Sequence, residues 1–139
     1  MVRYDPPELL AGDVFGTPVD VWAFGCVLGE MLTGKPLFGG TKATPEAVME
    51  RVISSFGLPT RRTLAVMRGK GPEWQRCTHT EGPEAPGGLG SPLKLRMEQI
   101  RELHPQLHQM LLACLDMDPA KRPTAQQLLD HPALKAHFA

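Results

Sequence analysis

Residues 17–34 run TPVDVWAFGCVLGEMLTG. Both ends carry helix punctuation. Thr17 can cap, Pro18 suits the first helical position, and Asp20 stands three residues after the cap. Gly34 offers a left-handed stop and Pro36 prevents continuation. Between them Val19, Val21, Trp22, Ala23, Phe24, Cys26, Val27, Leu28, Met31 and Leu32 occupy nearly every face, the pattern of a central buried helix. Its tail, GEMLTGKP at 29–36, imitates a phosphate-binding loop. That loop needs free backbone N–H groups and a hydroxyl for magnesium. Gly29 lies inside the helix, where its N–H is already used, and Pro36 has neither N–H nor hydroxyl. The match is a helix tail and its cap.

Working outward, Thr44, Pro45 and Gly57 bracket a second helix over 45–56, with Val48, Val52, Ile53 and Phe56 as its apolar stripe. Residues 61–68, RRTLAVMR, suit a short amphipathic helix. From 69 to 92, ten glycines and prolines leave no room for a core element, and the segment is expected to be a flexible surface insert. The chain condenses again at Leu103. Pro105 opens a helix carrying Leu107, Met110, Leu111, Cys114 and Leu115, and Thr124 opens a last one, with Gln127 completing a capping box and Leu128 and Leu129 facing the core. His131-Pro132 stops it, with one further turn expected over 133–138. No alternating strand pattern occurs, so the fold class expected is all-α.

The 139 residues suit one domain. Fifteen basic and fifteen acidic residues cancel, so no net field favours nucleic acid or membrane surface, and 6% aromatics argue against base stacking. The longest apolar run, Val21 to Leu32, is broken by Glu30 and is too short to span a bilayer. Cys26, Cys77 and Cys114 fit a reducing compartment, and with no leader-like apolar segment the expected location is cytoplasm or nucleus. Cys77, in the insert, is the one candidate reactive thiol. His104 and His108 have helical zinc spacing, but Pro105 intervenes and no third ligand is near, so they read as surface histidines. His131 reads as an imidazole meeting free carbonyls at a helix end. No metal site and no nucleophile arrangement emerges.

Three charges invite more. Glu8 in PPELL can be a solvated loop acid, Asp20 a helix-dipole carboxylate, and Arg122 a solvated loop base. Taken together, their surroundings resemble the C-terminal lobe of a eukaryotic protein kinase over nearly the whole chain. Pro6-Pro7-Glu8 resembles the Ala-Pro-Glu motif that closes the activation segment. Asp20-Val21-Trp22-Ala23-Phe24-Gly25 resembles the D-x-W-x-x-G opening of the family's central helix. Asp118-Pro119-Ala120-Lys121-Arg122-Pro123-Thr124-Ala125 resembles its final D-P-x-x-R-P-T signature. Phe56-Gly57-Leu58-Pro59-Thr60 and the Gly/Pro-rich segment after it are similar to the CMGC branch, and the stretch from Glu8 to Asp20 to cyclin-dependent-kinase-like members.

The resemblance implies roles. Glu8 and Arg122 are expected to pair across the chain, and Asp20 to accept hydrogen bonds from a catalytic loop, with Trp22 and Gly25 as structural positions of the same helix. Arg3, Tyr4 and Asp5 fall on the substrate-docking loop. There the branch usually has Tyr-Arg-Ala-Pro-Glu. Asp5 reverses the arginine's charge, which removes the expectation of proline-directed specificity, and Pro6 stiffens the loop. A complete member binds ATP and magnesium through a Gly-rich loop, a strand lysine, His-Arg-Asp and Asp-Phe-Gly. None of these motifs stands in this sequence, so the chain alone is expected to have no catalytic, cofactor or metal residues and to be inactive. The expected partners are protein substrates or kinase-regulating proteins. Apolar faces left uncovered imply marginal stability and possible self-association. The alternative is a non-catalytic helical interaction module or a degenerate kinase-derived product.

Overall fold

The computed structural model describes residues 2–40, 42–78 and 91–138. After a 3-10 turn at Val2–Tyr4, the described helices are α1 (Pro7–Ala11), α2 (Pro18–Thr33), α3 (Pro45–Phe56), α4 (Arg61–Arg68), α5 (Pro72–Thr78), α6 (Ser91–Leu103) and α7 (Pro105–Cys114). A second 3-10 turn, Pro119–Lys121, leads to α8 (Ala125–Leu129) and α9 (Pro132–Phe138). No strand occurs among the described residues. The all-α expectation holds.

Helix α2 is the axis. It packs on α7 and α6, while α3 is held by α1 and α5. Its inward face, Val21, Trp22, Gly25, Cys26 and Gly29, is buried. The first core gathers Trp22, Phe38, Val48, Met49, Val52, Ile53 and Met67, and a smaller one joins Val21 to Met110, Cys114 and Leu128. Close approach is bought by two glycines: a Cβ on Gly25 would stand 2.8 Å from Cys114 Cβ, and one on Gly29 2.5 Å from Leu37 Cδ1. Gly34 (φ 79°) ends the helix left-handed, as the sequence required.

Several expectations fail for identifiable reasons. Thr17 makes no side-chain cap; it is itself helical (φ −53°, ψ −29°), and the first N–H groups go to the Gly16 and Thr17 carbonyls instead. Helix α2 is not interior on every side, because Phe24 (39% exposed), Val27 (46%) and Met31 (77%) face outward. Residues 69–92 do not lack a core element. Trp74 and Cys77, three apart on α5, are buried, and local helical spacing outweighs the surrounding glycines and prolines. Residues 79–90 of that expected insert lie outside the described residues. The condensed region begins earlier than Leu103, since α6 buries Leu93, Met97 and Ile100 at i, i+4 and i+7. Leu129 is 55% exposed, leaving Leu128 alone as the inward leucine of α8.

Candidate functional site

Glu8 does not lie in a solvated loop. Proline at the first position starts α1, and its second residue, Glu8, turns inward to 2% exposure. Arg122 follows the 3-10 turn that Asp118 caps through the Ala120 N–H. The two meet across 114 residues in a two-pronged pair: Nη1 donates to Oε1 at 2.6 Å and Nη2 to Oε2 at 3.0 Å. Arg122 Nε also donates to the Asp116 carbonyl at 2.9 Å, and Nη1 to the Pro18 carbonyl at 3.2 Å. The guanidinium carbon stands 5.0 Å from the Trp22 ring centroid, and Trp22 stacks on Phe38 at 5.8 Å. The fork thus ties three segments together: α1 through Glu8, the start of α2 through the Pro18 carbonyl, and the turn after α7 through the Asp116 carbonyl.

The Arg3-Tyr4-Asp5 segment is tied to the other end of α2. Tyr4 donates its hydroxyl to Glu30, and the Arg3 guanidinium lies 5.1 Å from the Tyr4 ring centroid. The Glu30 carboxylate on its hydroxyl, then burial, push the Tyr4 phenol above its ordinary value. Asp5 is half-buried, and desolvation pushes its carboxyl up. In the sequence Glu30 stands only as an interruption of an apolar run. That interruption was the available signal.

Asp20 is exposed, and its side chain has no hydrogen-bond or ion-pair partner among the described residues. The structure brings Glu8, Arg122 and Trp22 together, sets Gly25 one turn further along the same buried face, and leaves Asp20 on the open one.

A second knot was not foreseen. Asp13 accepts from the Val14 N–H, from the Thr63 hydroxyl at 3.1 Å and from Arg62 Nε at 3.1 Å, fastening the loop before α2 onto α4. Burial alone would raise its carboxyl, but these hydrogen bonds outweigh that and hold it below the ordinary range. Its partner residues lie about fifty positions away, so no local motif announces it.

Cys77 is corrected from reactive to inert. It is fully buried, its thiol donates towards the Glu46 and Glu73 carbonyls, and burial pushes it up to about 11. Among the described residues His131 meets no helix-end carbonyl; its Nδ1 accepts from the Ala133 N–H at the start of α9. Among the described residues no three His, Cys, Asp or Glu converge as metal ligands. Nor is any helix of the described residues long and apolar enough to cross a membrane.

Comparison with known proteins bears on this geometry. The family model described as protein kinase domain matches residues 2–134. A probable cyclin-dependent kinase 8 of Dictyostelium discoideum is 33% identical over 96% of the chain, which covers 35% of that relative. Human cyclin-dependent kinase-like 4 is 33% identical over 91% of the chain, covering 31% of the relative. The chain thus spans about a third of the length of these curated relatives. In solved structures, a Leishmania major MAP kinase superposes on 99% of the chain with a TM-score of 0.70 at 23% identity, the chain covering 38% of it.

Proposed function

The chain belongs to the protein kinase family, as the helical C-terminal part of a CMGC-type domain, and from that premise we propose that it is the substrate-side portion of a Ser/Thr phosphotransferase. The carrying observation is the buried Glu8–Arg122 pair. It anchors the segment bearing Arg3, Tyr4 and Asp5 to the end of the domain, and the Tyr4–Glu30 bond anchors the same segment to α2. A turn pinned at two points can present a protein substrate in fixed register, which is the portion of phosphoryl transfer that depends on positioning.

ATP and magnesium belong to residues outside these 139, and the chain alone transfers no phosphate. The Asp5 carboxylate, where the branch usually has arginine, disfavours an acidic neighbour beside the target residue and removes proline-directed selection. The partners are protein substrates and kinase-regulating proteins, met in the cytoplasm or nucleus.

The test joins the chain to the upstream portion of the human cyclin-dependent kinase-like 4 domain and assays a Ser/Thr peptide library. The folded chimera is expected to phosphorylate peptides, and the 139-residue chain to phosphorylate none. Transfer by the chain alone would overturn the division of labour; a folded chimera silent on every peptide would overturn the substrate-side role.

A further inference from the structure

The loop after α1 and the segment that opens α4 are tied in one knot. Asp13 accepts from Arg62 Nε and from the Thr63 hydroxyl, each at 3.1 Å, and Thr63 is bonded in turn to Thr60. Asp13 directly precedes Val14 and Phe15, and Thr60 follows Leu58 by two residues, so the knot sets these three apolar side chains on adjoining segments. It buries none of them: Val14 is 73% exposed, Phe15 59% and Leu58 48%. None belongs to α2, the helix on which the family resemblance sets a catalytic loop.

Charge adds a second half to this surface. The chain is neutral overall, yet residues 58–72 hold four basic side chains and no acidic one. Two of the four are occupied, Arg62 by Asp13 and Lys70 by the Trp74 ring, 5.0 Å from its centroid. Arg61 and Arg68 are exposed and have no carboxylate partner among the described residues. Seven apart on α4, they share its outer face, opposite the buried Thr63 and Met67, about 10 Å from each other along the axis. Asp13 already accepts from the Val14 N–H, Thr63 and Arg62, and leaves both guanidiniums unneutralised.

We propose that this surface docks an acidic protein segment that also carries bulky apolar side chains. Its carboxylates meet the forks of Arg61 and Arg68, and its apolar groups cover Val14, Phe15 and Leu58. Either half alone is ordinary surface; joined on segments fixed by Asp13, they select both chemistries in one partner. A nucleic acid would answer the charges only. No reacting group enters this docking, so it holds independently of the phosphotransferase role.

Fluorescence anisotropy of the 139-residue chain with a labelled acidic peptide, repeats of Glu-Phe-Glu-Asp-Leu-Glu, tests this. The chain is expected to bind it, more weakly as salt rises. A control peptide with serine for every Phe and Leu, and an oligothymidylate, should bind at least tenfold more weakly. Arg61→Glu combined with Arg68→Glu should lower affinity at least tenfold, and Phe15→Ser about fivefold. These are surface substitutions, so circular dichroism and the urea midpoint should match the parent. Absence of binding by the parent chain would overturn the proposal, whether or not the chimera phosphorylates peptides. So would equal affinity for the serine peptide or the oligothymidylate, or folded variants that bind as the parent does.

Discussion

Replacing Arg122 with methionine should destabilise the chain by about 4 kcal/mol, and Glu8→Gln by a similar amount, since removing one member of a buried ion pair strands the other. The structure sets the size. Both side chains are almost wholly buried (0% and 3% exposed), so neither regains water when its partner goes. Arg122→Met also strips the Asp116 and Pro18 carbonyls of a donor and removes the cation from the Trp22 ring. Urea denaturation followed by tryptophan fluorescence reads the loss, because Trp22 is fully buried in the parent chain. The double variant Glu8→Leu with Arg122→Met is the sharper measurement. Apolar replacement of a whole buried pair is often neutral, but the two carbonyls stay unsatisfied at about 1 kcal/mol each. The double variant should therefore be less stable than the parent by about 2 kcal/mol, and more stable than either single. Losses below about 1 kcal/mol for both singles, the scale of an exposed pair, would refute the buried-clamp argument. So would strictly additive losses in the double.

Two further perturbations test the packing and the docking turn. Gly25→Ala and Gly29→Ala would each stabilise an uncrowded helix by roughly 1 kcal/mol; here both should destabilise in urea titrations, by about 1–3 kcal/mol. Gly25 should cost more, because its new methyl meets Cys114 Cβ, which cannot swing aside, while Gly29 meets the end of the Leu37 side chain. Asp5→Asn should stabilise the chain at neutral pH. Its carboxyl is raised in the fold by burial, so ionisation above the unfolded value of about 3.9 penalises folding. The advantage should shrink as pH falls through the raised folded value and vanish below the unfolded one; an Asn variant equally stable relative to parent at pH 7 and pH 4 would contradict that origin.

Local punctuation made the long helices legible. Pro18 with Gly34, Thr44 with Gly57, and the Thr124–Gln127 capping box mark ends that the structure reproduces, with Thr44 and Thr124 both capping as written. Where composition was averaged over a window, the reading failed: α5 and the start of α6 sit among glycines and prolines, and the buried Trp74, Cys77, Leu93 and Met97 were outvoted by their neighbours. The Glu8–Arg122 pair was legible only through resemblance, because no periodicity links residues 114 positions apart. Asp13 and its contacts to α4 had neither kind of signal. The one-sidedness of α2 was hidden for another reason. A sequence pattern reports which faces are apolar, and the structure alone reports which of them have a neighbour.

That one-sidedness and the two ties of the N-terminal segment bear on each other. Residues 4 to 8 touch α2 at both ends: Tyr4 reaches Glu30 near its C-terminus, while Glu8, through Arg122, is linked to the Pro18 carbonyl at its N-terminus. The helix acts as a ruler whose inner side is locked by Gly25 and Gly29 against Cys114 and Leu37. Phe24, Val27 and Met31 stand on the opposite, exposed side of the helix so fixed. The docking turn is thus referred to a helix locked on its buried side, and whatever segment covers the exposed stripe meets a surface whose shape is already set. Covering it should change affinity through contact alone, with little ordering cost, because the helix presenting it is already locked by its buried side.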